Sequence, residues 1–229
     1  MRVRTLMALI ALAMQPAHLL RVSRDQLCVT NGEITTTANG RLAINTPSSR
    51  AVVRIPTAPG VAEIQFTYLG PSEGSKPLAS GEMRRQIGLK LRAQDQCNLL
   101  YVMWHIEPDA KFGVSIKRNP GQYTHEQCDA HGYVTIRPRM STTLPRVLPG
   151  ESHTLRATLA GEDLTLTADD QVVWEGPIGN GIAGIDGPVG LRTDNARFEF
   201  DYYVSPPIPG APSQPVNEGT NRCEKSSDD

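Results

Sequence analysis

The chain has 229 residues, 39% of them hydrophobic, enough to fill one good-sized core, and all-β sandwiches commonly reach this length as a single domain. Its formal net charge of −1 excludes a global pull toward nucleic acid or anionic lipid, so any charged partner has to be met by a local patch. The 20 Gly and 18 Pro favour many turns over long helices.

Residues 1–24 read as an export signal. Arg2 and Arg4 precede an apolar run from Leu6 to Met14, and the small residues Ala11, Ala13 and Ala17 offer a peptidase site. The run is too short to span a bilayer, so no membrane span is expected. A lipid anchor on Cys28 does not fit, because "DQLC" lacks the small residues that precede a lipidated cysteine. The mature chain is expected to begin between His18 and Asp25 and to be secreted, periplasmic or held at the cell surface.

Short strand-like runs follow, separated by Gly, Pro, Asn and Asp clusters. They are 41–45, 51–55, 61–69, 85–93, 98–106, 111–117, 132–137, 153–160, 163–168, 171–175, 189–193 and 197–204. A dozen short strands in 25–204 predict an all-β domain of two packed antiparallel sheets. Residues 205–229 are Pro-rich and polar and form a tail or linker.

Four cysteines in an exported chain favour two disulfides, with three pairings possible. Cys97 opens one strand and Cys128 lies in the loop after the next, so a local Cys97–Cys128 bridge is expected. Cys28 and Cys223 would then tie the two ends together. A metal reading of His125, Cys128 and His131 fails on spacing and on a missing fourth ligand, and no metal or other cofactor is expected.

The stretch "QCNLLYVMWHIE" is unusual. With a period of two, Leu100, Val102, Trp104 and Ile106 share one face, while Leu99, Tyr101, Met103, His105 and Glu107 share the other. The second face is neither plainly core nor plainly solvent. In the neighbouring runs, Ile87, Leu89 and Leu91 point inward, which leaves Gln86, Gly88, Lys90 and Arg92 outward. Likewise Phe112, Val114 and Ile116 leave Lys111, Ser115 and Lys117 outward.

The last third, "SHTLRATLAGEDLTLTADDQVVWEGPI" and "GPVGLRTDNARFEFDYYV", resembles the closing strands of the concanavalin A-like lectin/glucanase superfamily. It is most similar to laminin G-like and 3-keto-disaccharide hydrolase-like domains. The matching positions are His153, Leu155, Leu164, Asp170, Val173, Trp174, Gly187, Gly190, Leu191, Phe200, Asp201 and Val204. They are packing residues, so the resemblance implies a two-sheet jelly-roll sandwich and says little of activity. In such a jelly roll one sheet often turns a face to a glycan.

On that expectation, adjacent strands would combine Tyr101, Met103 and His105 with Gln86, Lys90, Arg92 and Lys117. A stacking ring beside basic donors suits a sugar bearing carboxylate or sulfate. The alternative is a loop or N-terminal segment lying over Leu99, Tyr101 and Met103, with the basic residues a solvated face. Catalysis would need a carboxylate pair, for which only Glu199-x-Asp201 has a glucanase-like spacing, or a lyase set drawn from Tyr101, His105, Tyr123, His125, Gln86 and Arg92. Three functions follow: a carbohydrate-binding lectin-like module, a glycan-active enzyme, and a protein-interaction surface. The first is the favoured expectation.

Overall fold

The computed structural model describes residues 18–58 and 60–207. The strands in chain order begin with β1 (Leu20–Val22), β2 (Leu27–Asn31), β3 (Thr35–Thr36), β4 (Leu42–Ile44) and β5 (Ser48–Val53). Next come β6 (Val61–Pro71), β7 (Arg85–Leu91), β8 (Leu99–Glu107), β9 (Lys111–Lys117), the one-turn helix α1 (His125–Cys128) and β10 (Tyr133–Thr135). The last are β11 (Met140–Ser141), β12 (Ser152–Ala160), β13 (Asp163–Ala168), β14 (Gln171–Pro177), β15 (Gly190–Asp194) and β16 (Ala196–Val204).

These strands build two antiparallel sheets. The larger runs β11-β14-β13-β12-β6-β16-β4-β3, with β1 also paired to β16, and the smaller runs β10-β9-β8-β7-β15-β5-β2. Neither closes into a barrel, and the result is the expected jelly-roll sandwich. All twelve expected strands are present. β1, inside the stretch read as an export signal, lies opposite β16 with Leu20 facing Val204. Residues 1–17 and 208–229, and with them most of the signal and tail, lie outside the described residues.

The alternation of side chains explains the packing. Phe66, Tyr68, Phe198, Phe200 and Tyr202 of the larger sheet and Ile87, Leu89, Val102, Trp104 and Leu191 of the smaller belong to one buried cluster. Phe66 meets Trp104 edge-on across the sandwich, with centroids 5.5 Å apart, and meets Phe198 at 5.6 Å. The Tyr202 hydroxyl reaches across to donate to the Gly190 carbonyl at 3.0 Å. At the end of β8, Glu107 pairs with Arg85 and accepts from the Tyr68 hydroxyl. Among the described residues no helix is long and apolar enough to cross a membrane.

Truncating Trp104 to alanine removes the ring against which Phe66 and Phe112 pack, and a buried aromatic lost in this way costs on the order of 3–5 kcal/mol. Urea unfolding should register that loss. Val134→Ala, on an exposed strand, should stay within about 0.5 kcal/mol of the parent.

Candidate functional site

The smaller sheet has a second, outward face whose rows follow from its register. Arg50, Arg192, Gly88, Met103 and Gly113 stand side by side across β5, β15, β7, β8 and β9. A parallel row contains Ser48, Asp194, Gln86, His105 and Lys111, and another contains Val52, Gly190, Lys90, Tyr101 and Ser115. The face read from sequence thus exists, with Gln86, Lys90, Tyr101, Met103, His105 and Lys117 on it. Arg92 follows β7 as a half-buried residue with φ 48°.

This face is largely covered at its β8 end. Cys28, Val52, Ala93, Leu99, Tyr101 and Met103 form a second buried cluster, separate from the core between the sheets. Gln86, Lys90, His105 and Lys117 are buried with them. The alternative expectation, a loop over Leu99, Tyr101 and Met103, accounts for part of this burial. After β9 the chain turns back: Asn119 N–H donates to Asn98 Oδ1, Asn98 Nδ2 donates to the Gln122 carbonyl, and His125 N–H donates to Gln96 Oε1. The Cys97–Cys128 disulfide fixes α1 there, with Cα atoms 5.9 Å apart. β10 then sets Tyr133 on Tyr101, with rings stacked 6.0 Å apart.

With Cys128 in that bridge, His125, Cys128 and His131 have no thiolate to offer a metal. The second expected bridge, Cys28–Cys223, ends on a residue outside the described residues. Among the described residues no cysteine is free.

Bare glycines let long side chains lie flat. A methyl group at Gly88 would stand 2.7 Å from Met103 Sδ and 2.1 Å from the Val102 carbonyl oxygen, and one at Gly113 would stand 2.9 Å from His105 Nε2. Met103 and His105 therefore lie across glycines on neighbouring strands.

The charges on this face are crowded. Arg192 Nε donates to Asp194 Oδ2 at 2.8 Å, and Gln86 Nε2 donates to the same oxygen at 2.5 Å. The Arg192 guanidinium also sits 5.2 Å from the Tyr101 ring centre. Burial works against its charge, yet Asp194, Tyr101 and Tyr133 outweigh burial and hold the pKa above the ordinary value. Lys90 is pushed well below its usual range by burial and by Arg50, Arg192 and Lys117. Lys117 falls to about 8 through burial, then Arg50 and Arg192. Its ammonium donates to the Asp129 carbonyl at 2.6 Å and sits 5.3 Å from the Tyr133 ring centre.

Where the cover stops, a groove of about 570 Å³ opens over β5 and β15. Arg50, Arg192 and Asp194 form its floor, with Ser48 beside them. Its walls are the segments 31–32 and 46–47, the loop 76–79, and His125, Asp129, Ala130 and Tyr133 of the returning chain. Sequence reasoning missed Arg50, Arg192 and Asp194. Period two on 189–193 puts Gly190 and Arg192 opposite Leu191, which was the available signal.

The carboxylate pair weighed for hydrolysis is elsewhere. Glu199 and Asp201 lie on β16 in the larger sheet, where Asp201 is held by Arg21 at 2.5 Å and Arg41 at 3.1 Å.

No family model and no curated protein matches the sequence. Among solved structures, the carbohydrate-binding module CBM66 from Bacillus subtilis superposes with a TM-score of 0.54 at 14% identity, covering 76% of this chain and 91% of that one. The chain has the concanavalin A-like lectin and glucanase fold. The potassium-bound Emp46p carbohydrate recognition domain gives a TM-score of 0.48 at 14% identity, covering 80% of this chain and 90% of that one. LamAcat from Zobellia galactanivorans gives 0.43 at 12%, covering 73% and 77%. Sequence identities this low speak for the fold alone.

His105 supplies a test of the buried face. Burial first, then Arg84, Lys111 and Arg192, push its pKa down to about 3 from the ordinary 6.5. Between those values the unfolded chain holds a proton that the folded chain refuses, so stability should fall as pH drops from 6.5 toward 3. His105→Gln should flatten that part of the profile, as read by denaturant midpoints at stepped pH.

Proposed function

We propose that this chain is an exported lectin-like module that binds a polysaccharide or glycoconjugate, preferring one that bears carboxylate or sulfate. The binding surface is the groove on the outward face of the smaller sheet. The observation that carries this reading is the floor of the groove: Arg50 and Arg192 are direct cross-strand partners, and both line it.

Two guanidinium groups side by side on one floor can present their donors to the same anion. Guanidinium groups bind carboxylate or sulfate through paired, charge-assisted hydrogen bonds. Tyr133, 41% exposed and braced from behind by Tyr101, offers a ring to the C–H face of a sugar. Lys76 adds a cation at the wall. Lys90, Lys117, Gln86 and His105 lie beneath the surface in this reading, where Gln86 orients Asp194 and Lys117 ties the floor to the returning chain at Asp129.

Export is supported by the leader-like start of the sequence and by the Cys97–Cys128 disulfide, which belongs to an oxidising compartment. The sharing of a fold with a carbohydrate-binding module agrees with a binding role. A hydrolytic role gains nothing from Glu199 and Asp201, which belong to the other sheet, with the Asp201 carboxylate held by Arg21 and Arg41.

Affinity electrophoresis of the oxidised domain through gels containing neutral glucan, pectate, alginate or sulfated glycan tests the proposal. Acidic gels alone should retard the parent, and added salt should weaken the effect. Arg50→Ala and Tyr133→Ala should each weaken retention about tenfold, equivalent to roughly 1.4 kcal/mol, with melting temperatures near the parent's. Equal retardation by neutral glucan would remove the acidic preference. Retardation by none would turn the reading toward a protein partner or a small-molecule substrate.

A further inference from the structure

One buried residue holds two walls of the groove in place. Asn195 follows β15, stands between the two sheets with φ 54°, and is 1% exposed. Left-handed backbone is uncommon outside glycine, and asparagine is among the residues that tolerate it. Every polar group of Asn195 is used. Its N–H donates to the Pro47 carbonyl at 2.8 Å, and its own carbonyl accepts from Ser72 N–H at 3.2 Å. Its Oδ1 accepts from Lys76 N–H at 2.9 Å, and its Nδ2 donates to the carbonyls of Lys76 at 2.8 Å and Arg84 at 3.2 Å.

The side chain therefore clamps both ends of the loop 76–84, while the backbone grips the segment at Pro47. Both segments line the groove, and the preceding residue, Asp194, belongs to its floor. The loop has little else to fix it. None of residues 76–84 is buried, and Leu78 and Arg84 are only half-buried. Within the loop, Leu78 N–H donates to the Glu82 carbonyl and Gly81 N–H to the Leu78 carbonyl, bonds that close its tip without attaching it to the sheets.

We infer that Asn195 is a positioning residue for glycan binding: it touches no ligand, but its side chain fixes the wall formed by Lys76, Pro77, Leu78 and Ala79 against the Arg50–Arg192 floor. Its effect on affinity rests on the binding role proposed above, whereas its hold on the loop does not.

Asn195→Gly keeps the left-handed backbone without strain and deletes the three side-chain hydrogen bonds. Asn195→Asp keeps the size but turns a carboxylate toward two carbonyl oxygens. Hydrogen exchange and gel retention are measured on the same preparations. In the glycine variant the amides of Lys76, Leu78 and Gly81 should exchange at least about tenfold faster while those of β7 and β8 keep their protection, as local opening requires. Retention in the acidic gel should fall by about tenfold or more. The aspartate variant should shift both readouts in the same direction, and it decides the matter if the glycine variant does not fold. Unchanged exchange in 76–84 would overturn the clamp. Faster exchange with retention intact would overturn the positioning role. Absence of retention in the parent would sink the glycan reading, and exchange alone would then decide whether Asn195 holds the loop.

Discussion

A guanidinium taken out of water needs a partner nearby, and Arg192 on the outward face of the smaller sheet has one in Asp194. Much of that face is arranged around this pair. Asp194 also accepts from Gln86 and from Ser48, which ties β15 to the strands on either side. Arg192 in turn lies under Tyr101, and Tyr101 carries Tyr133. The pair is therefore the floor of the groove, the base of the aromatic stack, and the anchor of the turn that continues into Asn195. Removing either charge would leave the other buried and uncompensated, a loss that in general exceeds what the pair contributes when intact.

Further cations crowd the same face. Arg50, Lys90 and Lys117 stand close enough for their charges to disfavour one another, while Asp129 and Asp95 favour the charge of Lys117. Burial and mutual repulsion act in the same direction on the two lysines, so the site reduces its own excess charge by weakening their hold on protons. What remains is a concave surface with low-dielectric walls and cations at its base, a shape that concentrates field lines in the groove. On the proposed role an anionic sugar would enter among these cations, and salt would compete for the same position. The aromatic stack has a different role. It is indifferent to charge and gives the groove a flat, rigid edge, so the two kinds of recognition are supplied by different strands.

Local pattern carried the strands and the inward-facing residues, because the period of two and the turn residues are short-range properties. β1, β2 and the brief β3 and β11 escaped notice: two- and three-residue pairings leave almost no periodic trace, β1 lies in the stretch read as an export signal, and Leu27–Asn31 begins beside a cysteine that drew attention to itself. Period two also assigned Gln86, Lys90, Tyr101 and His105 to the outward face. It could not show that this face is covered, because the cover depends on long-range bonds from Asn98 and Asn119 and on the Cys97–Cys128 bridge. Arg50 and Arg192 were illegible as a pair for a related reason. They lie far apart in the chain and become neighbours only because β15 inserts between β5 and β7. Asn195 gave no sequence signal beyond an ordinary turn.

The floor and walls of the groove differ in how they are made. The floor belongs to β5 and β15, interior strands whose other face is packed into the core, so the backbone that carries its guanidinium groups is held as firmly as the fold itself. The walls come mostly from loops, of which 76–84 buries almost nothing, and they are fixed by a few hydrogen bonds to Asn195 and by the disulfide-bound turn at α1. On the proposed binding role, the floor would set the charge of the ligand, and the walls its width and the direction in which a chain can leave. On that role, substitutions in the loop 76–84 would change which polymer fits without loosening the sandwich, because no residue of that loop is buried.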